Sequence, residues 1–223
     1  KILLTSSGVV YGKQPPHMTH VSEDYYATRG VLEHAVQCGA KKLHLNSTDH
    51  NSVWGECKRA AEFLCVYCSR KYGIEAKIAR CFSFVGPYLP LDIHYAIGNF
   101  IRDALNGGPI QVNGDGTPHR AYLYAADLTI WLWTILFKGE SCCAYNVGSE
   151  EDVTIAKLAN TVAQSFQKPI EVRIALSPDP SRPLERYVPS TGRAQVNLGL
   201  RQHVDLRTAI ERTVRWSHSG RSC

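Results

Sequence analysis

The sequence predicts an α/β protein built on parallel strands, and three observations predict it. Short apolar runs ending in polar or Gly-containing loops alternate with stretches whose apolar residues recur at helical spacing. Apolar residues make up 44% of the 223 positions and charged residues 20%, a balance that builds a core and excludes a disordered chain. Turn signals such as Gly73, Gly86-Pro87, Gly107-Gly108 and Asn113-Gly114-Asp115-Gly116 punctuate the changes of pattern. The length corresponds to one large domain or one and a half.

Each element follows from its own residues. Residues 1–5 (KILLT) run into Ser6-Ser7-Gly8, the pattern of a buried parallel strand that opens at its carboxyl end into a polar loop. Residues 12–20, with Pro15 and Pro16, read as loop. A helix is expected from residue 52 or 53 to 72, because Ala60, Ala61, Leu64 and Cys68 recur at its spacing and Gly73 stops it. Residues 75–84 form a second strand ended by Gly86-Pro87. Residues 97–105 read as a helix, 110–112 as a short strand and 121–124 as extended. Residues 126–137 are the longest strongly apolar stretch. At about half the length of a membrane span, they read as a buried helix. A strand at 144–147, a helix at 154–166 (Ile155, Leu158, Ala159, Val162), a strand at 170–174 and a helix at 206–216 complete the pattern. Residues 28–38 and 42–47 read as one more helix and strand. The run KLHLNS at 42–47 repeats the pattern of KILLTS at 1–6, so residues 27–47 look like a second copy of a helix–strand unit.

Lys and Arg number 25 against 20 Asp and Glu, a net charge of +5 with no basic run longer than a pair. Nucleic-acid binders concentrate charge on one face or run, so nucleic acid is not expected and the bias suits an anionic small molecule. Without a membrane span or signal peptide, a cytoplasmic location is expected, and a first residue of Lys makes the chain read as a piece of something longer. Of eight cysteines, Cys65 and Cys68 form a single C-x-x-C without a second pair at zinc-ribbon distance, Cys142 and Cys143 are adjacent, and Cys38, Cys57, Cys81 and Cys223 are scattered. Buried free thiols and no metal are expected. Asn46-Ser47-Thr48 matches a glycosylation sequon, which carries little meaning without a secretory signal.

Four stretches, in order, carry a resemblance. Residues 4–12 (LTSSGVVYG) resemble the catalytic-serine strand end of the NAD-dependent epimerase/dehydratase family, the extended short-chain dehydrogenases/reductases acting on nucleotide sugars. Residues 54–62 (WGECKRAAE) resemble its Tyr-x-x-x-Lys helix, Y-G-x-S-K-x-x-x-E. Residues 80–87 (RCFSFVGP) are similar to its R-x-F-x-x-x-G-P strand end, and residues 113–128 to its G-D-G-x-x-x-R-x-Y-x-Y-x-x-D-L segment. Asn146-Val147-Gly148, Leu198-Gly199 and Trp216 fit as well. The resemblance implies an incomplete Rossmann-like parallel sheet over residues 1–86, with 27–47 an anomalous insertion or duplication. Residues 87–223 then form mainly a smaller nucleotide-sugar-binding region, with some segments returning to the sheet. NAD or NADP is the implied cofactor, although the sequence contains no G-x-x-G-x-x-G turn to receive its pyrophosphate.

The family's chemistry needs a Tyr phenol made acidic by the Lys four residues on, a Ser or Thr that orients the same sugar oxygen, and hydride transfer to the dinucleotide. By resemblance Ser7 is the orienting hydroxyl, and Lys58 is the lysine that also bonds the nicotinamide ribose. Cys81 falls at a cofactor-lining position. The Tyr position holds Trp54, whose indole donates but cannot accept a proton, so impaired catalysis is expected. Ser7 and Trp54 lie 47 positions apart, and removal of the 21 residues 27–47 leaves 26, close to the family's gap. The dehydratases' Asp-Glu pair after the Ser is replaced by Gly8 and Val9, which turns the reading from dehydration towards epimerisation or a keto/alcohol step. Ser83, Asn99, Arg120 and Arg186 match positions that bind a nucleoside-diphosphate sugar, the guanidinium forks suiting phosphate oxygens. A homodimer through the helix at 53–72 is implied. The alternative is a non-catalytic nucleotide-sugar-binding relic or dimerising pseudoenzyme.

Overall fold

The computed structural model describes residues 1–11, 18–23, 50–93, 95–168 and 170–219. In chain order it forms β1 (Ile2–Ser7), a 3-10 turn (Gly8–Tyr11), α1 (His50–Tyr72), β2 (Ala76–Cys81), β3 (Phe84–Val85), α2 (Ala96–Leu105), β4 (Ile110–Val112), β5 (His119–Arg120) and β6 (Leu123–Tyr124). There follow α3 (Ala125–Lys138), β7 (Ala144–Val147), β8 (Val153–Thr154), α4 (Ile155–Gln164), β9 (Val172–Ile174), β10 (Arg186–Tyr187), α5 (Gly192–Leu198) and α6 (Leu206–Ser219). The second-copy segment, residues 27–47, lies outside the described residues, as do the sequon, Cys38 and Cys223.

The centre is a parallel sheet in the order β1-β2-β7, with Ser7 opposite Cys81 and Cys81 opposite Val147. Its strands need long crossovers, which is why the helices separate them. Pleating sends Arg80 towards α1, where it meets Glu62, and Ala79 into the opposite core with Trp131, Ile135, Tyr145 and Val147. A second core joins α2, α4 and α6 through Ile97, Ile101, Leu158, Val162, Ile210 and Val214. Full burial of such a side chain contributes about 1.5–3 kcal/mol. Thr154 caps α4 by accepting from the Lys157 amide at 3.1 Å.

The structure corrects several expectations. The second strand does not run unbroken to Phe84: it ends at Cys81, and after Phe82 and Ser83 the chain pairs with β6 in a different sheet. Within residues 121–124, Leu123 and Tyr124 pair as β6. The apolar helix α3 is not buried all round. It covers one stripe, Asp127, Trp131 and Ile135, and leaves Ile130, Trp133 and Phe137 at least half exposed. In α1 the sheet-facing side carries Gly55 and Glu62, whereas Leu64, from the apolar set, is 63% exposed. Gly73 does close α1, in the left-handed region at φ 67°.

Candidate active site

The carboxyl ends of β1 and β2 bring together the residues of the Ser-Tyr-Lys reading. Ser7 ends β1 directly beside Cys81, and its Oγ accepts from the Val9 amide at 3.4 Å. The helix α1 crosses over this edge closely, because a Cβ on Gly55 would stand 3.1 Å from the Val9 carbonyl. One turn later Lys58 donates to the Thr5 carbonyl at 2.9 Å and lies 4.9 Å from the centre of the Trp54 ring. Trp54 itself is half exposed. Burial pushes the Cys81 thiol up to about 12, against the pull of the Lys58 ammonium, so it stays protonated at neutral pH.

Beneath this edge lies a buried polar network that sequence reading did not assign. Glu62 receives Arg80 in a two-pronged pair, at 3.1 Å to Oε1 and 2.8 Å to Oε2, and also accepts from Ser6 Oγ. Arg80 donates onward to the Tyr11 hydroxyl at 3.0 Å, and Tyr11 donates to Asn146 Oδ1 at 2.7 Å. Asn146 in turn ties Glu23, Val21 and Ser190 to β7. Burial pushes the Tyr11 phenol up to about 12, so the Tyr of the Val-Tyr-Gly turn is a structural donor and not a base. Its signal was available: an Arg in a strand that is otherwise buried requires an acid nearby.

A cleft of about 710 Å³ opens beside the sheet end, lined by Ser83, Asn99, Arg120 and Tyr122 among others. That volume falls in the range of small-molecule sites. Arg120 donates to the His119 carbonyl at 2.8 Å and faces Glu185 at 3.9 Å. Asn99 Oδ1 accepts from Arg102 at 3.2 Å, which leaves its amide hydrogens for another partner. Arg186 does not line this cleft. Its guanidinium is paired with Asp152, whose other oxygen lies 2.6 Å from His119 Nδ1. The structure thus gathers Ser83, Asn99 and Arg120 in one cleft and Ser7, Lys58, Trp54 and Cys81 at the adjoining sheet end, and holds Arg186 on the neighbouring strand β10, paired with Asp152.

A parallel sheet with a cleft beside its carboxyl edge is the architecture of an α/β protein of the Rossmann type. Residues 1–148 match the model of the NAD dependent epimerase/dehydratase family, and the chain belongs to that family. It is similar to UDP-glucuronic acid decarboxylase 6 of Arabidopsis thaliana, 30% identical over 210 residues, covering 94% of this chain and 55% of that one. Against UDP-glucuronic acid decarboxylase 1 of Danio rerio it is 26% identical, covering 97% and 47%. Among solved structures it resembles the UDP-glucose 4-epimerase of Thermotoga maritima with UDP-glucose, at a TM-score of 0.73 and 17% identity over 99% of this chain and 64% of that one. The dTDP-glucose 4,6-dehydratase of Bacillus anthracis in complex with NAD gives the same score at 18% identity, covering 98% and 62%. The chain spans about half the length of the curated relatives it matches.

NAD(P) is the cofactor that the family implies. By the family resemblance Lys58 and Cys81 would hold its nicotinamide end, and in this structure Lys58 bonds the Thr5 carbonyl. The sequence contains no Gly-rich turn for the pyrophosphate.

Proposed function

We propose that this protein binds a nucleoside-diphosphate sugar in the 710 Å³ cleft, in the cytoplasm, and that it is an epimerase-type oxidoreductase whose proton-transfer step is impaired. The observation that supports this reading most is the meeting of Ser83, Asn99 and Arg120 in one cleft beside the Ser7 sheet end. In this reading residues 1–86 are the remaining half of a Rossmann-like domain and 87–223 mainly the sugar-nucleotide region. Arg120 turns its guanidinium from Glu185 to a phosphate, while Arg186 stays paired with Asp152 outside the cleft. Ser7 orients a sugar hydroxyl. NAD(P), when bound, supplies the hydride acceptor. Position 54 has nothing to take the proton.

Isothermal calorimetry of wild type and Arg120→Ala with UDP-glucose and dTDP-glucose tests the proposal. A charge-assisted contact contributes about 1.5–3 kcal/mol, so the variant is expected to lose roughly ten- to a hundredfold in affinity. Unchanged affinity would refute this placement of the diphosphate.

Trp54 favours a second reading, a nucleotide-sugar binder without turnover. Its ring lies against Lys58, whose ammonium also bonds the Thr5 carbonyl, so both partners of the family's acid–base pair are diverted. The two readings share the cleft and differ in turnover.

A further inference from the structure

Tyr187 belongs to β10, in the sugar-nucleotide half, yet its hydroxyl reaches the sheet end where Ser7 stands. A Cβ built on Gly8 would lie 2.6 Å from that hydroxyl and 2.8 Å from two Phe82 ring carbons. Real Cβ atoms do not approach so closely, so Gly8 is the residue that admits the phenol. The ring packs on Phe82 with centroids 4.8 Å apart, and Tyr187 pairs in register with Arg120 of the cleft. The strand β10 therefore carries one group beside the cleft arginine and the serine at once.

We propose that Tyr187 is a positioning residue of the Ser7 site: from the place a side chain at position 8 would fill, its hydroxyl meets that of Ser7 and aims it at a sugar oxygen. The inference rests on the nucleotide-sugar reading and deepens it. Its consequence is selective, because Tyr187 then serves recognition of the sugar and not of the nucleoside diphosphate. The phenol suits this role. Burial raises its pKa well above the usual value while Ser7 pulls the other way, so it stays a neutral donor at physiological pH and cannot replace the missing base at position 54. Among the described residues, the Ser7 hydroxyl otherwise has one long contact from the Val9 amide, at 3.4 Å, which by itself fixes it poorly.

Two measurements test it together. Tyr187→Phe keeps the ring against Phe82 and removes the hydroxyl alone. In a thermal-melting cycle of Ser7→Ala, Tyr187→Phe and the double variant, the double is expected to melt no lower than the less stable single. Additive shifts in melting temperature would overturn the contact. By calorimetry, Tyr187→Phe is expected to lose about tenfold in affinity for UDP-glucose while binding UDP as wild type does, with Gly8→Ala reproducing the loss by displacing the phenol. An equal loss for UDP and UDP-glucose, or none for either, would overturn the positioning role. If wild type binds neither ligand, the nucleotide-sugar reading falls and takes the sugar role with it, while the melting cycle still decides whether Tyr187 holds Ser7.

Discussion

Replacing Glu62 by Ala should unfold this protein at a much lower temperature, and the size of the effect follows from what surrounds the carboxylate. The side chains of Glu62 and Arg80 are 7% and 5% exposed. Their pair is two-pronged, and Ser6 supplies a further donor to the same carboxylate. Removing the acid takes both carboxylate contacts from the buried guanidinium. Breaking a buried pair from one side costs about 3–5 kcal/mol. In a chain of this size each kcal/mol moves the melting temperature by about 2–4 °C, so Glu62→Ala should melt roughly 6–20 °C below wild type. The control is Glu62→Met with Arg80→Leu, which removes both charges and should recover most of the loss, since apolar replacement of a buried pair is often neutral. Differential scanning calorimetry or urea unfolding reads both. A Glu62→Ala variant within about 1 kcal/mol of wild type would refute the view that this pair fastens α1 to the sheet.

Two other outcomes are expected. Burial pushes Tyr11 and Tyr122 from 10.0 to about 12, so the native state keeps protons that the unfolded chain releases; stability should be full below pH 10 and fall as pH rises towards 12, by roughly 2–3 kcal/mol per tyrosine at the end, and a urea midpoint unchanged between pH 9 and 11.5 would contradict it. The exposed apolar side chains Phe63, Leu64, Tyr67 and Tyr72 of α1 should pair two copies of the chain, as large exposed patches do; sedimentation equilibrium should show a dimer that Phe63→Glu with Tyr67→Glu dissociates, and a wild-type monomer at tens of micromolar would reject it.

The alternation of patterns made most of the fold legible. The strands at 110–112 and 144–147 fall where their apolar runs place them, and α4 buries the Leu158, Ala159 and Val162 stripe that its spacing announces. What failed to show had little local signal. Two-residue strands such as β8 and β10 exist only because β5 lies between them, and nothing within Arg186-Tyr187 signals that pairing. The helix α3 misled because an all-apolar sequence reports hydrophobicity and not which stripe is covered. At the site, the residues that motif spacing singled out lie together at the sheet end and in the cleft, because each motif runs along one strand or helix. The pairing of Arg186 with Asp152, and of Tyr187 with Gly8, arises between distant segments and had no signature in either one.

The substitution at position 54 is where sequence and geometry constrain each other most. Lys58 sits one turn after Trp54, on the face that reaches β1, so the lysine keeps its place while the residue it should activate has changed. At this half-exposed site the cation–ring contact contributes about 0.5–1 kcal/mol, too little to prevent a different side chain from taking the indole's place. Trp54→Tyr should therefore fold as wild type and put a phenol within reach of the Lys58 ammonium. A neighbouring positive charge favours the phenolate, so spectrophotometric titration near 295 nm should find one additional tyrosine ionising below 10, and Lys58→Met in the same background should abolish that shift. A general base contributes about 10²–10⁴ to rate. In a chain joined to a Gly-rich dinucleotide-binding half and freed of residues 27–47, Trp54→Tyr with NAD and a UDP-sugar should thus turn over at least a hundredfold faster than the same chain with Trp54. Vigorous turnover by the wild-type protein would show that another group takes the proton, and that the loss of a tyrosine at position 54 has no catalytic meaning.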